Sequence, residues 1–250
     1  MKGWLLLLGV IAAQTEAAEP PGKASALEKR EIRAQLMPRR YTTLAAEIGA
    51  KVNRLPLQEG SRFQAGHTLL AFDCVLPQAQ QNKARAALSA AEKTWLANKR
   101  LAELNSVGKL ELEVSEAEVS KARAELASSN ALLSKCTVVA PFAGRIAEQK
   151  IREQQFAQPG QALLDIIDDS VLELEFIVPS KWLAWLRTGS SFQISIDETG
   201  KSYPARVTRI GARVDPVSQS VKLAGAIQGQ FPELIAGMSG QVQMTPPAAK

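Results

Sequence analysis

The sequence predicts a mainly β protein with a long helical hairpin inserted into it and a small antiparallel β-barrel after it. Three observations carry that reading. Residues 79–133 contain no Pro and a single Gly, and are rich in Ala, Leu, Lys, Glu and Gln, the composition of long solvated helices. Short alternating apolar stretches punctuated by Gly lie on both sides of that segment, as strands and turns do. The two flanking stretches also repeat one another in register, which predicts two similar half-sheets that bury their apolar faces on each other.

The chain begins Met1-Lys2-Gly3, continues apolar from Trp4 to Ala13 and reaches small residues at Thr15 and Ala17. A cationic start, a short apolar run and a small-residue exit describe a secretory signal peptide over 1–17. The run is about half the ~20 residues that a spanning helix needs. Residues 18–40, with Pro20-Pro21-Gly22 and then mixed charges, read as an N-terminal leader, with a strand as one reading of its end.

From Tyr41 the pattern becomes strand-like. Val52, Leu55 and Leu57 alternate with polar residues, Glu59-Gly60 and Ala65-Gly66 mark turns, and Leu69, Leu70 and Phe72 close the segment. Pro77 sits where the first turn of a helix tolerates it. The helical segment, placed at 77–134, divides at Asn105-Ser106-Val107-Gly108, a sequence suited to a helix end and turn. On the first arm Ala84, Leu88, Ala91, Trp95, Asn98 and Ala102 recur at spacings of three and four. On the second arm Leu112, Ser115, Val119, Ala122, Leu126, Ser129 and Leu133 do the same. That is the seam of an antiparallel coiled-coil hairpin.

After the hairpin the first strand pattern returns. Val52 corresponds to Ile146, Leu57 to Ile151, Glu59 to Glu153, Gly66 to Gly160, Leu69 and Leu70 to Leu163 and Leu164, and Phe72 to Ile166. The repeat predicts one domain built from 41–76 and 135–169, with the hairpin inserted between its halves. Residues 170–245 alternate again, with turn signals at Gly189, Asp197 to Gly200, Asp215-Pro216 and Gly237. That rhythm predicts the barrel, with a short helix between Pro179 and Leu186. Residues 246–250 read as a tail.

Composition narrows the function. The 250 residues carry a net charge of +5, one His and two Cys. His-based metal sites and His-dependent nucleophiles have almost no ligands to draw on. The basic residues are interspersed with acids and form no aromatic-basic stripe, so nucleic acid is not expected as a partner. No titratable constellation points to catalysis, and no cofactor is expected. His67 reads as a solvated turn residue. Cys74 and Cys136 flank the hairpin at its base. In an oxidising compartment they are positioned to form a disulfide, the alternative being two buried free thiols.

Several motifs resemble the periplasmic adaptor subunits, or membrane fusion proteins of the hemolysin-secretion-D type, of tripartite efflux and secretion systems. Ala140-Pro141-Phe142-Ala143-Gly144 is similar to the opening of that family's second lipoyl half, and Glu59-Gly60 through Gly66 to Phe72-Asp73 to its partner segment. Asp215-Pro216-Val217-Ser218 and Leu234-Ile235-Ala236-Gly237-Met238 look like its barrel motifs. The resemblance covers roughly Tyr41 to Thr245. It implies an elongated protein in which a lipoyl-like β-sandwich encloses the hairpin and the barrel follows.

The resemblance also implies a non-enzymatic bridge between an inner-membrane transporter, with an RND type favoured, and an outer-membrane channel. It further implies self-association into a ring, a hexamer in the family. An ABC-type exporter adaptor and a free periplasmic coiled-coil scaffold are the alternatives. The family's channel-docking tip motif has an Arg, a Leu and a Ser. Arg100 and Leu104 fit the first two, whereas Glu111 holds the Ser position. Few residues follow Met244, so the family's usual membrane-proximal domain is expected to be missing.

Overall fold

The computed structural model describes residues 32–244. In chain order it contains β1 (Ile32–Ala45), β2 (Ala50–Arg54), β3 (Arg62–Phe63), β4 (Thr68–Phe72), α1 (Val75–Glu103), α2 (Lys109–Ser134), β5 (Thr137–Val139), β6 (Gly144–Gln149), β7 (Phe156–Ala157) and β8 (Ala162–Pro179). A 3₁₀ turn at Ser180–Ala184 precedes β9 (Ser191–Ile196), β10 (Lys201–Asp215), β11 (Ser220–Ile227) and β12 (Ser239–Gln243). The signal peptide read at 1–17 and the tail at 246–250 lie outside the described residues.

Around the hairpin two sheets share one core. One runs β1-β8-β6-β3 and the other β5-β4-β2-β7. The strands before the hairpin contribute β1 and β3 to the first sheet and β2 and β4 to the second. Those after it contribute β6 and β8, and β5 and β7. The halves are therefore interleaved, where the sequence repeat suggested two half-sheets packed face to face. The pairings obey the repeat: Ala50 opposes Ala157 and Lys51 opposes Phe156, while Gly144 opposes Phe63 and Arg145 opposes Arg62. The repeated apolar residues Val52, Leu69, Leu70, Ile146, Leu163, Leu164 and Ile166 are all buried in this core. Each contributes on the order of 2 kcal/mol of burial, which neither half obtains alone.

The second body is a closed circuit of antiparallel strands in the order β1-β12-β9-β10-β11-β8, with β1 returning to pair with β8. Closure leaves no free sheet edge in that circuit. Its core includes Leu36, Leu174, Phe176, Ile194 and Val207, with Phe176 and Phe192 edge to face at 5.2 Å. The 3₁₀ turn packs Trp182, Leu183 and Trp185 against this core, so both tryptophans serve packing.

Two strands refine the sequence reading. Residues 32–40, read as the leader with a strand as one reading of its end, belong to β1. Ile32 pairs with Val242 of β12, and Leu36 pairs with Leu174 of β8. The alternation Ile32, Ala34, Leu36 was the available signal, and all three side chains are buried. The surrounding Arg and Glu and the following Pro38 disguised it. Likewise the boundary set at 169/170 falls inside β8, an unbroken strand of 18 residues that serves both bodies.

The helices run antiparallel, fixed by Gln81 Nε2 donating to Asn130 Oδ1 at 2.9 Å and by Arg123 lying 3.7 Å from Glu92. α1 begins at Val75, so Pro77 lies in its first turn, where its missing N–H costs no helical bond. Every seam residue named from the sequence is buried or half-buried, and Ala84, Ser115, Val119 and Ala122 are the most enclosed. At 1.5 Å per residue α1 projects about 43 Å.

Candidate functional site: a tip, a clamped base and a charged junction

The distal turn is built by helix-capping chemistry. Ser106 N–H donates to Leu101 O at 2.8 Å and Asn105 N–H to Ala102 O at 2.9 Å. Asn105 has φ +54°. These are the two bonds and the left-handed residue that terminate a helix in a Schellman motif, with Asn in the usual glycine place. Gly108 then caps α2 in an extended conformation, its carbonyl accepting from Glu111 and Leu112.

Arg100 lies in the last turn of α1 and Glu111 in the first turn of α2. Each charge therefore opposes the partial charge of its own helix end. Leu104 is 72% exposed, and Leu110 and Val114 are similarly open. The sequence-named Arg100, Leu104 and Glu111 thus share the tip. Leu110 and Val114 were missed there. Their signal was apolar character off the three-four seam on an otherwise charged arm.

At the other end of the rod Cys74 and Cys136 form a disulfide, with Cα atoms 6.0 Å apart. Cys74 is the cap residue of α1, and Cys136 lies between α2 and β5. Beside the bond Phe72 N–H donates to Cys136 O at 2.8 Å. Covalent bond and ladder together hold the two arms where they leave the sandwich.

Between sandwich and barrel lies a charged junction that the sequence did not disclose. Asp168 of β8 is 2% exposed. Its Oδ2 accepts from Arg40 Nε at 2.8 Å and Nη2 at 2.6 Å, and its Oδ1 from Ser170 N–H and Oγ–H. The Arg40 guanidinium also stacks over Phe142, 4.8 Å from the ring centroid, a favourable contact for a flat cation. Burial pushes the Asp168 carboxyl up, but hydrogen bonds from Ser170 and then Arg40 outweigh it and hold it below the usual range. Next to it Asp169 meets Arg145 at 2.6 Å and Arg62 at 3.3 Å. Asp165 is held low by Lys150 and then Thr43. Arg40 and Asp168, Arg62 and Asp169, and Thr43 and Asp165 each lie more than 100 positions apart, which hid these pairs.

The loop between β10 and β11 is organised by Asp215, which accepts from Ser218 N–H at 2.8 Å and Val217 N–H at 3.0 Å and is held low mainly by the Ser218 amide. Val217 projects from it, 93% exposed. Among the described residues no helix is long and apolar enough to cross a membrane.

No family model matches the chain. It is 28% identical over 218 residues to the nodulation protein NolF of Rhizobium meliloti, covering 81% of this chain and 59% of NolF. Among solved structures it is similar to a MacA–MexA chimeric protein carrying the Pseudomonas aeruginosa MexA α-hairpin domain, with TM-score 0.75 at 16% identity, covering 84% of this chain and 78% of the other. It is also similar to the membrane fusion protein Spr0693 of Streptococcus pneumoniae R6, with TM-score 0.71 at 17% identity, covering 86% and 98%. The nested order of sandwich, hairpin and barrel, together with these likenesses, gives the chain the fold of the membrane fusion proteins, the periplasmic adaptor family.

Proposed function

We propose that the chain is a periplasmic adaptor that bridges an inner-membrane transporter and an outer-membrane channel for the export of small molecules. The observation that carries this reading is a rod of two antiparallel helices that grows from between the halves of a lipoyl-like sandwich, is clamped at its base and ends in exposed leucines. A ~43 Å projection gives a bridge its reach. Exposed apolar side chains at the far end call for a partner surface, and Leu104 with Leu110 and Val114 supplies one.

In this reading the hairpin is a coiled coil directed at the channel, with Arg100, Leu104 and Glu111 at the contact. The barrel faces the inner-membrane transporter, and copies stand side by side in a ring, a hexamer in the family. The chain works by geometry, without catalysis or cofactor, and a cleaved leader over 1–17 delivers it. An RND-type transporter is the favoured partner in this reading. An ABC-type exporter serves the same architecture.

Photocrosslinking from position 104 in intact cells tests the reading. Capture of an outer-membrane channel, identified by mass spectrometry, is the expected result. Failure to capture any outer-membrane protein, with drug susceptibility unchanged on deleting the gene, would leave a free periplasmic scaffold as the better description.

A further inference from the structure

The rod leaves the sandwich by two exits, and one bond spans them. Cys74 stands between the end of β4 at Phe72 and the start of α1 at Val75, and Cys136 between the end of α2 at Ser134 and the start of β5 at Thr137. They are the two cysteines of the chain. The bond closes over the whole hairpin, so anything that opens it works on folded protein and needs a folded surface to hold. The two sulfurs also differ in access. Cys136 is 7% exposed, whereas Cys74 is half-buried.

Beside Cys74 the surface is apolar. Val75 and Leu76 follow it directly and are 78% and 67% exposed, and the first turn of α1 carries no acid. Leu132 in the last turn and a half of α2 is exposed as well. Its position relative to Leu76 follows from the seam. Glu92 and Arg123 each come one residue after a seam residue, Ala91 and Ala122, and they meet at 3.7 Å on one flank of the rod. Leu76 and Leu132 each come one residue before a seam residue, Leu133 for one and Pro77, a heptad before Ala84, for the other. In an antiparallel pair that places both on the opposite flank. The contact of Gln81 with Asn130 sets their heights, with Leu132 about one turn farther from the sandwich. The seam is complete without these side chains. The tip leucines lie ~40 Å away along α1, so this apolar surface at the root serves a different contact.

We infer that Cys74 is the entry sulfur for thiol–disulfide exchange with a Cys-X-X-Cys dithiol enzyme, and that Val75, Leu76 and Leu132 are the surface on which that enzyme docks. An exposed apolar patch by itself calls for a partner of no particular kind. The exchangeable bond at its edge selects this one. The enzyme's thiolate attacks Cys74 Sγ, a bond forms between those two sulfurs, and the Cys74–Cys136 bond breaks with its electron pair leaving on Cys136, which takes up a proton. The enzyme's second thiol gives up its proton and attacks the enzyme's own first sulfur, releasing Cys74 as a thiolate that is protonated in turn. The enzyme dithiol is oxidised to a disulfide and the chain's disulfide is reduced to two thiols, with two electrons and two protons transferred. The same path in reverse closes the bond. After reduction the exits keep only non-covalent ties, among them Phe72 N–H to Cys136 O and Lys135 to Glu47, so the root of the rod becomes a joint whose stiffness follows its oxidation state. The inference rests on the exported reading above, which places the chain where such enzymes act on disulfides.

The test uses the full mature chain, disulfide intact. The probe is thioredoxin with its second active-site cysteine replaced by Ser, which stalls at the mixed disulfide. A covalent complex is expected, and peptide mapping should place thioredoxin on Cys74. In the variant V75S/L76S the complex is expected to form about tenfold more slowly, the loss of part of a docking contact. Reduction of the same variant by dithiothreitol, which needs no docking surface, is expected to run at the wild-type rate.

A bond that dithiothreitol opens but thioredoxin does not capture would overturn the inference. So would a complex through Cys136, or a variant captured as fast as wild type. If V75S/L76S weakens self-association in sedimentation and leaves capture unchanged, the surface belongs to a second copy and the inference is wrong. Channel capture from position 104 is unaffected by any of these outcomes, so this site and the bridging role fail separately.

Discussion

Glu59 accepts the amide of Gln149 at 2.8 Å while Glu153 accepts the amide of Leu55 at 2.7 Å. Each glutamate is the other's counterpart in the internal repeat, and so are the two amides. The exchange recurs nearby: Gly60 N–H donates to Ile146 O at 2.8 Å, and Gln154 N–H to Val52 O at 2.8 Å. The sandwich therefore has a pseudo-twofold relation in which each of these ties from the first half to the second is answered by one returning. Replacing Glu59 or Glu153 by Ala is expected to cost about 0.5–1 kcal/mol each, the value of one hydrogen bond, with the two losses matching. Urea denaturation of both variants checks the match.

At one position the two halves share a backbone conformation but not a residue type. Gly60 has φ +80° and its counterpart Gln154 φ +67°. A side chain in that conformation is strained, whereas glycine is not. Gln154→Gly is expected to raise stability by about 0.5 kcal/mol, and Gly60→Ala to lower it by about 1 kcal/mol. A Cβ at Gly60 meets no atom within 4 Å, so backbone conformation alone sets the second effect. Matched denaturant midpoints for the two variants would contradict this.

Gly144 is a steric requirement of a different kind. A Cβ there would overlap the carbonyl oxygen of Ile167 in the neighbouring strand, yet its repeat counterpart is Ala50, which is accommodated and 9% exposed. Only the second half has its strand pressed by β8 at this level. Gly144→Ala is expected to destabilise the sandwich by about 3 kcal/mol, read from the shift in thermal midpoint, while Ala50→Gly costs about 1 kcal/mol.

Reduction should loosen the base of the rod. The bond joins residues separated by 62 positions, and opening a loop of that size releases about 4 kcal/mol of constraint on the unfolded chain. A reductant, or the double replacement of Cys74 and Cys136 by Ser, is expected to lower unfolding stability by that order. Near-identical urea curves with and without reductant would show that the constraint is not felt.

Acid should open the junction between sandwich and barrel. Asp168 and Asp165 both titrate below their ordinary values, so the folded chain binds their protons less tightly than the unfolded chain. Their stabilisation is complete above the normal Asp pKa near 4 and is lost as pH falls through their lower folded values. Unfolding at graded pH should show stability dropping below about pH 4, with a shallower slope in Asp168→Asn. That variant also leaves Arg40 over Phe142 without its carboxylate and is expected to be less stable at neutral pH.

Local pattern made much of this molecule legible. The seam from Ala84 to Ala102 and from Leu112 to Leu133 could be read because helical spacing is a property of neighbours in sequence. The repeat could be read because Leu69-Leu70 and Leu163-Leu164 each carry their burial in a short string, and the tip because Asn105 to Gly108 is cap chemistry within four residues.

Tertiary structure decided what depends on distant partners. It interleaved the halves, gave residues 32–40 to the barrel, ran β8 through both bodies and set Arg40 on Asp168 across 128 positions. Backbone propensity and apolar periodicity act within a turn or a strand, so the sequence displays them. Strand exchange, barrel closure and ion pairing are choices among many remote partners that one chain leaves open until its apolar faces meet.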